Sequence, residues 1–152
     1  MKVKIKLVDN GIMPEKKTEG AAAYDLAVPE DTVVTTGRCV IPLNFILDLP
    51  QGYKAEIHPR SGYSSKGFVG YYNYNKSSER RYNCDCVHGL IDEDYKGIVG
   101  VILNNNDETF YLRRGQRIAQ MIINKVENTE LELVEEIKET ERGDGGFGST
   151  GA

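Results

Sequence analysis

The fold is decided by the stretch FILDLPQGYKAEI, which occupies positions 45–57. Apolar residues stand at every second position in each half, and Pro-Gln-Gly separates the halves at 50–52. Because successive side chains of a strand point to opposite faces, each half is typical of a strand with one buried face. Proline and glycine between two such runs favour a turn. The stretch therefore predicts two consecutive strands with a turn between them.

The same alternation recurs from one end of the chain to the other. It is found at 3–7 and 99–103, and 117–123 has the composition of a strand that is apolar on both faces. Helix signals are limited to one turn at 61–66 and a charged run of mixed periodicity at 131–139. Many short strands with few helices predict an all-β fold, an antiparallel sandwich or jelly-roll-like barrel.

Length and charge restrict the classes of partner. The 152 residues fit one domain with a core of its own, and the formal net charge of −4 gives no general attraction to a polyanion. Nucleic acid and anionic membrane surfaces are therefore not expected partners. No apolar stretch approaches the roughly 20 residues of a membrane span, and the start of the chain lacks a signal peptide's apolar run. An intracellular location is predicted, most simply the cytoplasm, with the nucleus and a virus-infected host cell as alternatives.

The chain has three cysteines: Cys39, Cys84 and Cys86. Because a disulfide framework needs an even and larger number of cysteines, free thiols are predicted. Cys84, Cys86 and His88 alternate, and on a strand all three would point to one face. A zinc site there is a second possibility, although the spacing is tighter than the usual gap between zinc-binding cysteines.

The segment at 141–151 predicts a mobile arm, since its five glycines make ordering costly in backbone entropy. Its guanidinium, Arg142, and its hydroxyls, Ser149 and Thr150, suit phosphate oxygens, while Phe147 can cover a flat base. These residue types favour a nucleotide lid. A disordered tail is the alternative, and the segments described next favour the lid.

Two short segments predict anion contacts. PRSG at 59–62 follows a predicted strand, and helix-start amides, a hydroxyl and a guanidinium together form an anion site. GQRIAQ at 115–120 adds Arg117 and Gln120. Each pattern is weak by itself, because a turn with a surface arginine, or a strand with polar decoration, has the same composition.

Two further segments offer carboxylates. GLIDEDYKG at 89–97 predicts a hairpin that presents an acid and a tyrosine, and an ionised aspartate can accept the proton of a water that attacks phosphorus. Asp92, Glu93 and Asp94 are adjacent, so residue chemistry alone leaves the acid open, and a solvated turn is the alternative. In AAAYDL at 21–26, Asp25 could hold metal-bound water, or the segment could be a packed strand start.

Taken in order, these five segments resemble the five motifs of the trimeric dUTPases, the deoxyuridine triphosphate nucleotidohydrolases. The matching residues are AYDL at 23–26, PRSG at 59–62, GLIDEDYKG at 89–97, GQRIAQ at 115–120 and RGDGGFGSTG at 142–151. The resemblance spans nearly the whole chain, and the third and fifth motifs are the specific ones. It implies a jelly-roll β domain over 1–140, a glycine-rich lid arm over 141–152, and a homotrimer whose sites lie between subunits.

The resemblance also implies a role for each site residue in the hydrolysis of dUTP to dUMP and pyrophosphate. Asp92 would activate the water, Tyr95 would lie under the deoxyribose, and Asp25 would support Mg²⁺ through water. Backbone groups around three residues would read the uracil edge: Leu90, Ile91 and Gly100. The remaining expected substrate contacts, to the phosphates and the base, are Arg60, Ser61, Gly62, Gln120, Arg142, Phe147, Gly148, Ser149 and Thr150.

The chain departs from the motif pattern chiefly between Ser61 and Asp92, an interval about fifteen residues longer than the family habit. The extra residues are expected near 70–85, as a solvent-exposed tip, a docking surface for a protein partner, or a source of altered base selectivity. The docking surface would be formed by residue types that are enriched at interfaces: Tyr71, Tyr72, Tyr74, Tyr82, Arg80 and Arg81. Two smaller departures from the family pattern are single residues. Ala23 stands where the first motif usually has glycine, and Cys86 precedes the third motif where many bacterial members have asparagine. Two rival readings are a dCTP deaminase, which shares the jelly roll, and a protein that binds dUTP without turnover.

Overall fold

A computed structural model describes residues 1–73, 78–149 and 151, and nearly all of its regular structure is strand. The elements, in chain order, are β1 (Lys4–Leu7), β2 (Tyr24–Ala27), β3 (Thr32–Val34), β4 (Gly37–Pro42), β5 (Phe45–Asp48), β6 (Tyr53–His58), α1 (Ser61–Lys66), β7 (Phe68–Tyr71), β8 (Glu79–Tyr82), β9 (Cys84–Val87), β10 (Gly89–Ile91), β11 (Gly100–Asn105), β12 (Phe110–Leu112) and β13 (Arg117–Lys125).

The strands pair antiparallel in four sheets, in the orders β1-β5, β10-β6-β13-β2, β4-β11-β9 and β3-β12-β7-β8. The predicted all-β, jelly-roll-like class is confirmed. The two halves of the 45–57 stretch form β5 and β6, joined by a turn in which the Tyr53 N–H donates to the Pro50 carbonyl over 3.1 Å. They do not pair with each other, because β5 pairs with β1 while β6 lies between β10 and β13. The turn therefore carries the chain from one sheet to the next.

One sheet, β10-β6-β13-β2, brings four of the five motif segments together. Asp25 lies on β2 and Gln120 on β13, and the PRSG segment begins where β6 ends. The GLIDEDYKG segment starts on β10, which pairs with the other edge of β6. Because β13 lies between β2 and β6, residues nearly a hundred positions apart become neighbours across the strands.

The base of the insertion belongs to the core. β7 and β8 form a hairpin, and Tyr82 is buried and stacked on Phe110 with ring centroids 4.4 Å apart. Gly70 makes this packing possible, because a Cβ there would lie 3.0 Å from Tyr82 Cδ2. Tyr82 is therefore unavailable to a docking partner, contrary to one of the predicted alternatives, whereas Tyr72 is exposed. Tyr74, another residue of the predicted surface, lies outside the described residues.

The cysteines are free, and the predicted alternation with His88 is wrong. Cys84 and Cys86 point into the core from β9, but that strand ends at Val87, and both Val87 and His88 are exposed. Burial raises the pKa of Cys84 to about 12 and that of Cys86 to about 11, so both are neutral thiols at physiological pH. Across residues 1–73, 78–149 and 151, no group of three or more His, Cys, Asp or Glu side chains is arranged to hold a metal ion.

Beyond β13 the chain has no regular secondary structure over the described positions 126–149 and 151. The charged run at 131–139 forms neither helix nor strand, and its side chains are exposed. Within the described chain, no helix has the length and apolar character needed to cross a membrane.

Candidate active site

The carboxylate of Asp25 lies between two guanidinium groups. Its Oδ1 is 3.5 Å from Arg60 Nε, and its Oδ2 is 3.6 Å from Arg117 Nη1. The side chain of Asp25 is only 17% exposed. Strand pairing creates the cluster, because Gln120 on β13 lies opposite Asp25 on β2 and opposite His58 on β6. Guanidinium groups are common contacts of phosphate and carboxylate anions, and here two of them flank one partly buried carboxylate.

Arg60 is held at the start of α1 by contacts to two other segments. It is the N-terminal cap residue of the helix, and its Nη1 donates to the Arg117 carbonyl over 3.1 Å. The Gln120 amide donates to the Pro59 carbonyl over 3.0 Å, which fixes the loop before the helix. Ser61 and Gly62 are exposed in the first turn. A helix start leaves backbone N–H groups without intrahelical partners, so this turn can receive an anion.

The motif that contains Gln120 is anchored by Gln116, which sequence analysis did not single out. Its amide donates to the Tyr63 hydroxyl over 2.9 Å and to the Val69 carbonyl over 2.6 Å. One side chain thereby ties the start of β13 to α1 and to β7.

Tyr95 is held rigidly over a glycine. Its hydroxyl donates to the Ile98 carbonyl over 2.9 Å, and its N–H donates to the Asp92 carbonyl over 3.1 Å. A Cβ at Gly97 would lie 2.6 Å from Tyr95 Cζ, so the ring occupies the space that any larger residue would fill. Tyr95 is nevertheless 47% exposed. This platform suits a sugar stacked on the tyrosine.

The three adjacent acids are not equivalent. Glu93 Oε2 accepts the Gly52 N–H over 2.5 Å, which ties the hairpin to the turn between β5 and β6. Lys96 adds a second tie, because its ammonium donates to Asp48 Oδ1 and to the Glu93 carbonyl, each over 2.8 Å. This contact lowers the pKa of the Asp48 carboxyl. All three acids are exposed, and of their carboxylates only that of Glu93 accepts a hydrogen bond within the described chain, so a structural task is assigned to Glu93 alone.

The predicted base-reading residues lie on strand edges. β10 is an end strand of its sheet, so within the described pairing one of its edges carries backbone groups without a strand partner. Ile91 is buried while Leu90 is 63% exposed, so the Ile91 side chain belongs to the core. Gly100 pairs with Pro42 of β4, but pairing of β11 with β9 begins only at Ile102. Two open backbone edges therefore flank the hairpin.

The two groups of site residues line different cavities in a single chain. Asp25 and Arg117 border an open cavity of about 300 Å³. Asp92 and Glu93 border another of about 600 Å³, whose far wall is formed by 126–129. The structure thus brings Asp25, Arg60 and Gln120 together, and it places the Asp92–Tyr95 hairpin in a separate group.

The arm is folded on itself through a series of tight turns. Arg142 Nε donates to the Gly145 carbonyl over 2.7 Å, and the Ser149 N–H donates to the Gly146 carbonyl over 3.0 Å. Phe147 has positive φ and is fully exposed, and Gly148 also has positive φ. The predicted contact Thr150 lies outside the described residues. The arm presents its aromatic ring and guanidinium on a short glycine-rich coil.

The sequence model of the dUTPase family matches residues 9–72 and 75–151. The chain belongs to the dUTPase family. The chain is similar to the deoxyuridine 5'-triphosphate nucleotidohydrolase of Solanum lycopersicum, at 39% identity over 96% of this chain and 79% of that protein. It is also 40% identical to the mitochondrial protein of the same name from Dictyostelium discoideum, over 96% of this chain and 74% of that protein.

Solved dUTPase structures agree with the fold. The dUTPase of Staphylococcus bacteriophage 80alpha, solved with dUpNHpp, superposes with a TM-score of 0.82 at 27% identity and covers 99% of both chains. A mutant dUTPase from phage phi11 of S. aureus, described with a structural Mg(II) ion, has a TM-score of 0.74 at 24% identity and covers 90% of this chain and 98% of that chain. At that identity the phi11 protein bears on the fold alone.

Arg117 is the site residue whose position the sequence did not predict. The sequence indicates Arg117 only as an anion contact or as polar decoration of a strand, whereas the structure places it against Asp25. The signal that could have found it is strand pairing: β13 bulges between Arg117 and Ala119, and Arg117 lies opposite Ala27 on β2. Such an irregularity changes which residues face each other.

Proposed function

We propose that this chain hydrolyses dUTP to dUMP and pyrophosphate, and that Asp92 is the general base. Membership of the dUTPase family supports the reaction, and the geometry of the hairpin supports the residue. The observation that carries the assignment is the Tyr95 platform, which is hydrogen-bonded to Ile98, packed against Gly97 and three residues after an exposed Asp92. Glu93 is committed to Gly52, which leaves Asp92 and Asp94 as the candidates and the motif match in favour of Asp92.

In the proposed reaction, the Asp92 carboxylate takes a proton from water while the water oxygen bonds to the α-phosphorus. The bond from that phosphorus to the bridging oxygen breaks, and pyrophosphate leaves. A positioned general base of this kind contributes roughly 10²–10⁴-fold in rate. Tyr95 lies under the deoxyribose, where a 2′-hydroxyl would meet the ring.

Arg60, Ser61, Gly62 and Gln120 are the proposed phosphate contacts of the body of the protein. The Asp25 carboxylate is already flanked by Arg60 and Arg117, so its charge is balanced by side chains and it is suited to accept hydrogen bonds from metal-bound water. Oxygen donors of this kind fit Mg²⁺, which keeps several waters when it binds phosphates. When bound, Mg²⁺ neutralises charge on the triphosphate.

The open edges of β10 and of β11 at Gly100 are the proposed readers of the base. Backbone N–H and C=O groups there can pair with the edge of uracil, and cytosine would reverse one donor and one acceptor. A mismatch leaves a buried polar group without a partner, which costs roughly 1–3 kcal/mol. Selectivity for uracil over cytosine follows from the backbone and needs no charged side chain.

The assembly we propose is a homotrimer with sites between subunits, in which 141–152 act as the lid. Leu131 and Leu133 are almost fully exposed, and Ile137 is 85% exposed, which is unfavourable for a segment that remains in water. Phe147 of the arm is fully exposed as well. Packing of these residues on another copy would cover them, and Phe147 would then stack on uracil while Arg142, Gly148, Ser149 and Thr150 contact the phosphates. We propose an intracellular location, where the nucleotide pool is found.

The test is pyrophosphate release from dUTP, dTTP, dCTP and UTP in the presence of magnesium. We expect turnover of dUTP and little of the other three. In Asp92→Asn we expect a loss of turnover of at least about 10²-fold with dUTP affinity retained, whereas Asp94→Asn should behave like the wild type. Ammonia release from dCTP would identify a deaminase. Tight dUTP binding without pyrophosphate release would identify a binding protein.

A further inference from the structure

The chain has two histidines, and the fold places them side by side. His58 is the last residue of β6, and His88 directly precedes β10. These strands pair antiparallel, with Gly89 opposite Ile57. One further step in the same register puts His88 opposite His58, because residues of an antiparallel pair meet one to one. Strand pairing therefore brings together two imidazoles that are far apart in the sequence.

Both imidazoles are accessible from solvent. The neighbour Ile57 is in the core, whereas the side chain of His58 is 28% exposed on the opposite face of β6. His88 is exposed. An ion from solution can therefore reach both rings.

The distance between the rings fits a shared metal ion. Their centroids are 4.9 Å apart, and their planes are at 88° to each other. When two imidazole nitrogens each bind one tetrahedral zinc ion at about 2.0–2.1 Å, the ring centroids lie about 5 Å apart. The rings are in edge-to-face contact, so rotation about the side-chain torsions is needed to turn one nitrogen of each ring toward the ion. The paired strands already supply the separation.

A carboxylate beside the pair favours a cation. Glu56 Oε1 lies 3.9 Å from His58 Nε2, while Asn124 donates to Glu56 Oε2 over 2.8 Å. That hydrogen bond is the main cause of the lowered pKa of the Glu56 carboxyl, which keeps the group ionised. Lys54 lies 3.7 Å from Oε2, so the oxygen nearer to the imidazole is the one that Lys54 does not contact.

We propose that His58 and His88 together bind one divalent transition-metal ion, with water completing its coordination. Imidazole nitrogen suits Zn²⁺, Ni²⁺ and Cu²⁺, whereas Mg²⁺ prefers oxygen, so the site is distinct in chemistry from the proposed role of Asp25. Among the residues that the structure describes, no third His, Cys, Asp or Glu completes a ligand set. A structural zinc site has four protein ligands, so an ion held by two exchanges with solution and the fold forms without it.

An ion at this pair links two segments of the proposed substrate site. His58 directly precedes the PRSG turn at 59–62, and His88 directly precedes the base-reading strand β10. β10 is an end strand, and within the described pairing it is held by β6 alone. The ion adds a second link where this pairing ends, and it stabilises the folded state because the unfolded chain lacks the site. The inference does not rest on dUTP turnover, and its tests need none.

The probe is ZnCl₂, titrated by calorimetry into the full chain with MgCl₂ in excess to occupy oxygen sites. We expect one zinc ion per chain. His58→Phe and His88→Phe keep a ring in place and remove its nitrogens, and each should weaken zinc binding by at least about tenfold. The double variant should bind no more weakly than either single variant, because one imidazole alone cannot bridge the strands. Wild-type affinity in a single variant, or losses that add in the double variant, overturns the proposal.

The control variant is Cys39→Ser, since zinc also binds thiolates and Cys39 is the half-buried cysteine. It should bind zinc like the wild type. A loss of binding in Cys39→Ser assigns the zinc to a thiol and overturns the proposal.

The unmodified protein decides the matter if a phenylalanine variant does not fold. Because the chain has only two histidines, its imidazole NMR signals form two sets. Zinc should shift both sets with a single midpoint, and it should raise the melting temperature until EDTA removes it. A shift of one set alone, a shift of neither, or an unchanged melting temperature overturns the proposal.

Discussion

At the scale of single residues, Gly97 determines how Tyr95 is presented. Gly97 is not among the glycines with positive φ, so alanine is compatible with its backbone, and the obstacle is the Tyr95 ring alone. In Gly97→Ala the ring has to tilt off its platform, and a small displacement at a reacting site has a large kinetic effect. We expect kcat/KM for dUTP to fall by about tenfold and the preference for dUTP over UTP to narrow.

The matched control is Gly20→Ala, since a Cβ at Gly20 meets nothing within 4 Å. Steady-state kinetics on both nucleotides and a thermal melt of each variant make the comparison. An unchanged ratio of dUTP to UTP turnover in Gly97→Ala would show that the ring position does not set sugar selectivity.

Asp107 is expected to make the free energy of unfolding depend on pH. Backbone N–H groups of Asn83 and Glu108 donate to its two oxygens, over 3.0 and 2.8 Å, and Arg80 lies nearby, so the pKa of Asp107 is below its ordinary value of about 4. A carboxyl with a lowered folded pKa adds stability above its unfolded pKa and loses it as pH falls through the folded one. The wild type should therefore be more stable than Asp107→Asn at pH 7, and the difference should shrink below about pH 4.

Urea unfolding at several pH values measures this difference, and Asp94→Asn serves as the control at an exposed acid. A difference that stays constant from pH 7 to about pH 3 would mean that the charge of Asp107 is not what the two amides stabilise.

Sequence analysis found most site residues but could not supply their contacts. Asp25, Arg60 and Gln120 were recognisable within motifs, because short segments keep their residue types. The pairing of Asp25 with Arg117 was not predicted, because it depends on the register of β2 against β13 and on the bulge there. Glu93 likewise has the composition of a catalytic acid, and only its contact with Gly52 assigns it a structural task.

At the scale of elements, we expect the tip of the β7-β8 hairpin to be dispensable for catalysis. The hairpin pairs from Phe68 opposite Tyr82 to Tyr71 opposite Glu79, and its buried base is part of the core. Replacement of 72–78 by Asn-Gly keeps these pairs and closes the strands with a favoured two-residue turn. Turnover of dUTP, the absence of turnover on dCTP and the melting temperature should match those of the wild type.

The control for the base of the hairpin is Tyr82→Ala. This change removes a ring from the core and should lower the free energy of unfolding by about 3–5 kcal/mol. If the shortened hairpin gains activity on dCTP, the insertion takes part in base selectivity. Unchanged kinetics would leave a solvent-exposed tip or a docking surface for a protein partner as its role.

The type of an element could be predicted where apolar and polar residues alternate regularly. The prediction failed where a strand ended. β5, β6, β11 and β13 were all indicated by their apolar spacing, and the single turn of helix at 61–66 was indicated as well. The prediction that His88 shares a face with Cys84 and Cys86 was wrong. Side chains alternate between two faces only while a strand continues, and β9 ends at Val87. Sheet partners were not predictable, since nothing local shows that β5 and β6 belong to different sheets.

At the scale of the whole molecule, a single chain carries the site in two separate parts. Asp25 and Asp92 border different cavities, and the arm makes its described hydrogen bonds within itself. Periodicity and motif order report only on one chain, so they gave the class of fold but no arrangement of copies. The family resemblance implies a site between subunits, and a direct test distinguishes it from a site within one chain.

That test is complementation between two inactive chains. One is Asp92→Asn, which keeps the arm, and the other is the chain truncated after 140, which keeps Asp92. Each alone should be inactive. If the arm that closes a site comes from a different subunit than Asp92, an equal mixture of exchanged subunits restores about one quarter of the sites, since each of the two required subunits is correct half of the time. Pyrophosphate release measures the recovered activity, and simple mixing without subunit exchange is the control. No recovery after exchange, with mixed trimers verified by mass, would show that Asp92 and the closing arm belong to the same chain.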